Sequence, residues 1–222
     1  TNRSRLLVGG VILVGLLLIA LAGRRSTAAL DPDSTEPDGA KALVMLLNEY
    51  AGSVDVLGDV PGPEIEVSVL LDDRLGDQAA AALDEWVTDG GTLVVADPNS
   101  PFTPSVTGLA SSDETGGPGV DRGACDIEGL EGARRIDISG AVLYEIAGSD
   151  GGCFGDSGGA FVDLRHRGAG TVISVGGAGG FTNNLLDKAD NPVLAVVLMA
   201  PTPDTTVGVL RRSLRAPTTA GS

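Results

Sequence analysis

The chain has 222 residues, enough for one domain of ordinary size and an appendage, with 30 acidic and 15 basic residues and a net charge of −15. All the acids lie between Asp31 and Asp204, where only 8 bases accompany them, so that window carries a net −22. Such a surface repels nucleic acid and anionic headgroups, which excludes a nucleic-acid partner, and its ordinary role is solubility.

Residues 1–5 read as a short N-terminal tail. Leu6 to Gly23 follows as LLVGGVILVGLLLIALAG, 18 residues without a charge. As a helix it would be about 27 Å long, near the thickness of a bilayer's hydrocarbon core. It exceeds the usual apolar stretch of a cleaved signal peptide, and arginines follow it at once. Residues 6–23 therefore read as a retained single-pass transmembrane helix rather than a signal peptide. Arg3 and Arg5 balance Arg24 and Arg25, so the flanking charges set no orientation. Residues 24–36 read as a linker, residues 37–210 as the domain and residues 211–222 as a disordered basic tail.

Within the domain, helix and strand patterns alternate. Ser34 and Thr35 are cap candidates for a helix that places Ala40, Leu43, Val44, Leu47 and Tyr50 on one face. VDVL (54–57) and IEVSVLL (65–71) read as strands. DQAAAALDEWVTDGG is a helix with Ala79, Leu83, Trp86 and Val87 inward and Gly90–Gly91 as its stop, and TLVVAD (92–97) is the next strand. A strand–helix–strand unit of this length predicts a right-handed crossover and a parallel sheet. Residues 98–132 are poor in pattern, which suits a functional loop or a poorly ordered one. RRIDI and AVLYEIA read as strands, and GAFVDLR and TVISVGG as a hairpin joined by HRGAG. After the loop GGAGG, Asn191 and Pro192 read as a helix start, with the asparagine as cap, and TTVGVLRR as a final strand.

The two cysteines, Cys125 and Cys153, lie beyond the apolar segment. An isolated pair beside a membrane signal reads as one disulfide in an oxidising compartment, which places the domain outside the cytoplasm. The alternative is two buried thiols in a cytosolic domain.

CFGDSGG (153–159) has the look of the segment that carries a protease's nucleophilic serine, but a nucleophile needs a base and a group that orients it. His166 is the only histidine, nine residues after Ser157 and at the far end of a strand. GDSGG also leads into a strand rather than a helix, unlike the hydrolase elbow. The string reads as a turn, and catalysis at Ser157 as the remote alternative. DPDSTEPDG (31–39) fails as a calcium loop because its third ligand and glycine are out of register.

The remaining signals are Asp31, Pro32, Gly39, Ala42 and Leu43, then LDEWVTDGGTLVV (83–95), then FTNNLLDKADNPVLA (181–195). Together they resemble an actinobacterial family of membrane proteins, domain of unknown function 4350, over about residues 5–200. Thirteen arginines against two lysines suit a GC-rich genome of that kind. The resemblance implies a flavodoxin-like, class I glutamine-amidotransferase-like α/β fold: a three-layer sandwich with a mainly parallel sheet, behind one transmembrane helix. Active amidotransferases have a cysteine on the elbow after a central strand and a later His–Glu pair. Here TLVVAD runs into PNSPF with no cysteine, and one histidine exists. The family thus implies a non-enzymatic accessory role at the cell membrane, without cofactor or metal. Its expected protein partners belong to envelope-associated complexes of the MoxR-type AAA+ ATPase kind. Relatives often carry an acidic residue where this chain reads GGAGG, and some carry a second membrane segment.

In an open parallel sheet, ligands bind beyond the carboxyl ends of the strands. Asp97 and Asn99 after one strand, and Gly177, Gly179, Thr182 and Asn183 after another, are the ligand-binding candidates, and a small-ligand sensor is the second functional reading. The plain structural alternative is that Thr182 and Asn183 cap a helix and the glycines make a turn.

Overall fold

In the computed structural model of the protein, the described residues are 28–109, 119–138, 140–156 and 158–212. Their helices are α1 (Lys41–Tyr50), α2 (Asp77–Thr88) and α3 (Asn191–Met199). The strands are β1 (Ser53–Leu57), β2 (Val67–Leu70), β3 (Thr92–Val95), β4 (Val106–Leu109), β5 (Val120–Asp121) and β6 (Arg135–Ile136). They continue with β7 (Val142–Tyr144), β8 (Gly151–Asp156), β9 (Gly159–Arg167), β10 (Gly170–Val175) and β11 (Thr206–Leu210). Among these residues no helix is long and apolar enough to cross a membrane, and residues 6–23 lie outside them.

The fold is mixed α/β and dominated by a 9-stranded sheet, ordered β1-β11-β2-β3-β10-β9-β7-β4, with β8 also paired to β9. β1, β11, β2, β3 and β10 are parallel, while β9, β8, β7 and β4 extend the sheet in antiparallel fashion. The five parallel strands expected of the sheet are joined at one side by four antiparallel ones. RRIDI contributes only Arg135–Ile136, which pairs with β5 in a separate two-stranded sheet. The stretch 98–132 is more structured than its composition suggested, since it supplies β4, β5 and a short 3-10 turn at Leu130–Gly132.

Alternation along the parallel strands divides the core. Val67, Val69, Val94, Val175, Val207 and Val209 join Leu43, Leu47, Leu194 and Leu198 of α1 and α3. Leu70, Leu93, Val95, Val172 and Leu210 join Leu83 and Val87 of α2. Successive side chains of a strand point to opposite faces, so both faces of the sheet are covered by helices and the strands read as continuous apolar runs.

Two contacts explain why the helices begin and end where they do. Neither Ser34 nor Thr35 caps α1: Ala40 stands at the cap position without a side-chain bond. The acceptor comes from far along the chain, because Asn183 Oδ1 takes the Ala42 N–H at 2.7 Å. The same amide donates to the Ser34 and Glu36 carbonyls at 2.8 and 2.6 Å, fastening residues 34–36, expected as linker, to the domain. Gly39 permits this fold-back, since a Cβ there would lie 2.5 Å from the Ser34 carbonyl oxygen. At the end of α2 the indole of Trp86 lies over Gly91, where a Cβ would meet the ring at 2.5 Å. That contact accounts for the Trp-Val-x-x-Gly-Gly spacing.

Cys125 is bonded to Cys153 of β8, with their Cα atoms 4.2 Å apart. Flanking bonds from Asp126 N–H to Gly152 C=O (3.1 Å) and from Phe154 N–H to Arg122 C=O (2.8 Å) align the loop with the strand. Across the β8–β9 hairpin Asp156 pairs with Gly159. Ser157 itself lies outside the described residues.

Candidate functional site

Chain direction creates a crevice at the carboxyl ends of the parallel strands. The segments after β2 and β3 leave toward the α2 face, where Phe102 packs with Leu83 and Val87. The segment after β10 leaves toward the other face, where Ala178, Phe181 and Leu186 pack with α1 and α3. Between segments that diverge in this way an open α/β sheet leaves a gap. Here the gap is about 610 Å³ in volume.

Five of the six sequence-predicted candidates line it: Asp97, Asn99, Gly177, Gly179 and Thr182. Asn183 does not; its amide is committed to α1 and to residues 34–36, as described above. Thr182 directs its hydroxyl to the Gly179 carbonyl at 2.8 Å, closing the turn rather than pointing at a ligand. Sequence reasoning missed Asp38, Asp72, Asp73 and Arg74, which also line the crevice. The signal was available for three of them, because LDDR follows directly on the strand that ends at Leu70.

The carboxylates of the crevice are acceptors within the protein. Asp97 Oδ2 takes the Asp73 N–H at 3.0 Å, and its Oδ1 takes the Asn99 N–H at 2.9 Å. Asp73 takes the Leu75 N–H at 3.0 Å and the Ser100 hydroxyl at 2.7 Å. Asp72 bridges Arg74 Nε at 3.0 Å and Arg212 Nη2 at 2.8 Å. Arg211 and Arg212, expected in the basic tail, are therefore fixed to the domain, Arg211 through Asp33 at 2.5 Å. Among the described residues no group of three or more His, Cys, Asp and Glu side chains is placed to hold a metal ion.

Behind the crevice stands Tyr144, fully buried, whose hydroxyl donates to the Val175 carbonyl at 3.1 Å. Burial pushes its phenol well above the ordinary value; a hydrogen bond from Thr103 opposes this, and the charges of Asp97 and Asp163 add to it. The folded state thus holds the phenolic proton more tightly than the unfolded chain does. Its contribution to stability is complete below about pH 10 and falls by about 1.4 kcal/mol per unit above it. Tyr144→Phe should flatten that alkaline slope in chemical unfolding measured from pH 9 to 11. A slope equal to that of the unsubstituted protein would contradict this assignment.

His166 is exposed near the end of β9 opposite the Asp156–Gly159 hairpin, with Nδ1 3.2 Å from Thr171 Oγ1. Its main-chain N–H is held by Asp150 at 2.8 Å.

Among solved structures the chain is similar to an exo-beta-1,4-mannosidase from Opitutaceae bacterium strain TAV5, at 20% identity and a TM-score of 0.44 over 64% of this chain and 26% of that one. It is also similar to a catalytic mutant of a GH42 beta-galactosidase from G. stearothermophilus, at 14% identity and a TM-score of 0.39 over 68% of this chain and 25% of that one. The chain thus spans about a quarter of those proteins, and likenesses at these scores define neither its fold nor its activity. No curated protein sequence matches it. The Asp31–Leu43 segment, the Trp86–Gly91 contact and the Asn183 clamp fall within or beside a match over residues 32–199, and the chain belongs to the family DUF4350, a domain of unknown function.

Proposed function

We propose that this chain is a non-enzymatic accessory module, held in the cell membrane by a single helix at residues 6–23. The disulfide-bonded domain works outside the cytoplasm by contact with other proteins, in an envelope-associated complex of the MoxR ATPase type. Its five parallel strands support a flavodoxin-like, amidotransferase-like ancestry of the kind the actinobacterial family resemblance implies. The observation that carries the reading is the state of the crevice carboxylates. A general acid or base needs a lone pair or proton directed at substrate. Asp73 and Asp97 accept from main-chain N–H groups and a serine hydroxyl, bonds that tie the crevice loops together and give each carboxylate a structural role.

Gentle solubilisation of the full chain from native membranes, followed by affinity capture and mass spectrometry, tests the reading. Co-recovery of a membrane-associated ATPase system is the expected result. Fluorophosphonate labelling that disappears in Ser157→Ala would overturn the non-enzymatic part.

The crevice favours one second reading, a small-ligand sensor, because it gathers Asn99, Asp97 and three loop segments around an open volume. Thermal shifts with nucleotides, sugars and cell-wall fragments test it, and a flat response across them would count against it.

A further inference from the structure

A second opening, about 800 Å³, lies at the other end of the sheet, over the amino ends of β2, β3 and β11. One wall is the loop after β1, with Pro61, Pro63 and Ile65; the other is the last turn of α2, with Glu85, Trp86 and Asp89. The half-buried indole is fixed in place, because its Nε1 donates to the Gly62 carbonyl at 3.3 Å while the ring covers Gly91.

The charge of this groove is one-sided. Glu66, Glu85 and Asp89 line it, and no Lys, Arg or His among the described residues does. Glu66 is held by the Thr206 N–H at 3.0 Å, whereas Glu85 and Asp89 are exposed. The last turn of α2 contains no basic residue. The negative pole of the helix adds to these carboxylates; Arg167 pairs with Asp84 at 2.7 Å but does not line the groove, so a further cation approaching Glu85 and Asp89 is favoured. An indole beside acids is also the surroundings that attract a guanidinium or ammonium, by cation–π contact and ion pairing together. A volume of this size exceeds one side chain, and proline ridges suit an extended backbone.

We infer that this groove docks a basic, extended peptide segment of a partner protein, with an Arg or Lys head held by Glu85, Asp89 and the ring of Trp86. The inference rests on the accessory-module reading for the partner's being a protein, and it adds that partner's chemistry. Ala29 and Leu30 line the crevice at the opposite end of the sheet, and Arg212 is bound there.

Trp86 is the only tryptophan of the chain, so its emission reports the groove directly. The full chain in detergent is titrated with a six-residue peptide of alternating proline and arginine, and with its glutamate counterpart. The basic peptide should produce a saturable change in emission and the acidic one none. Glu85→Gln with Asp89→Asn should weaken binding about tenfold. Glu49→Gln with Asp187→Asn, the same change of charge on the α1–α3 face, should leave affinity unaltered. No saturable change up to millimolar peptide would overturn the inference, as would equal weakening by both pairs, which signifies attraction to net charge alone. Capture of a complex together with a silent groove would remove this inference and leave the accessory reading standing.

Discussion

Replacing Cys125 and Cys153 with alanine should destabilise the domain by about 3.5 kcal/mol, the largest effect expected from removing a single link. The bond closes a sequence separation of 28, and on the chain-entropy model a loop of that size limits the unfolded ensemble by roughly that amount. Little of the loss should arise in the folded state, because the bonds from Asp126 to Gly152 and from Phe154 to Arg122 hold the same loop on β8. Urea unfolding of the full chain, oxidised and reduced, reads the effect. The oxidised protein should unfold at higher urea, reduction should reproduce the double variant, and the reductant should leave the double variant unchanged. Coincident transitions for the oxidised and reduced forms would show that Cys125 and Cys153 contribute nothing as a link.

Asn191→Ala should cost about 3–4 kcal/mol. The side chain is fully buried and makes three hydrogen bonds: Oδ1 accepts from Asp137 N–H at 3.0 Å, and Nδ2 donates to the Asp137 and Leu185 carbonyls at 2.7 and 2.8 Å. Alanine leaves the Asp137 N–H and carbonyl without their partner, at about 1–3 kcal/mol each before relaxation, whereas the Leu185 carbonyl keeps the Lys188 N–H at 3.0 Å. The expectation that Asn191 caps α3 is corrected by this geometry, since α3 has no side-chain cap and Asn191 is its first residue. The two roles separate cleanly in Asn191→Asp. A helix cap accepts aspartate as readily as asparagine. The observed clamp does not, because a carboxylate would face two carbonyl oxygens it cannot donate to. Asn191→Asp should therefore be at least as damaging as Asn191→Ala, and near-normal stability in it would restore the cap.

The neighbouring signature residues show how such positions misled pattern reading. Asn183 and Asn191 were each recognisable as residues that satisfy free N–H groups. Asn183 does cap a helix, but the helix begins at Lys41, on the far side of the sequence. Nothing local to residues 181–185 specifies that partner. In the same way Asp190 accepts from the Arg134 and Arg135 N–H groups at 2.8 and 3.0 Å, a contact across 55 residues or more. Polar signatures of this kind announce a hydrogen bond without naming its other end.

The crevice was legible in part. Asp97, Asn99, Gly177, Gly179 and Thr182 were placed together because each follows an apolar run that ends abruptly, and carboxyl ends of parallel strands converge in space. The groove beside Trp86 was not legible, because its walls come from the loop after β1, the end of α2 and the segment before β11. Those segments meet only once β11 is in place.

Local sequence determined the elements that depend on near neighbours. Leu43 and Leu47, and Ala79, Leu83 and Val87, are buried as the 3.6-residue period requires, while Tyr50 and Trp86 are more open because they stand at the edge of their apolar stripes. GAFVDLR and TVISVGG form the expected hairpin, since a short Gly-rich link turns the chain back directly beside itself. Tertiary structure alone decided the position of TVGVL, the last strand in the sequence, which lies between β1 and β2 near the middle of the parallel sheet. Its uncharged run indicates burial on both faces but not which strands flank it. That choice belongs to α3, which must cover the face opposite α2 and so carries the chain back across the sheet.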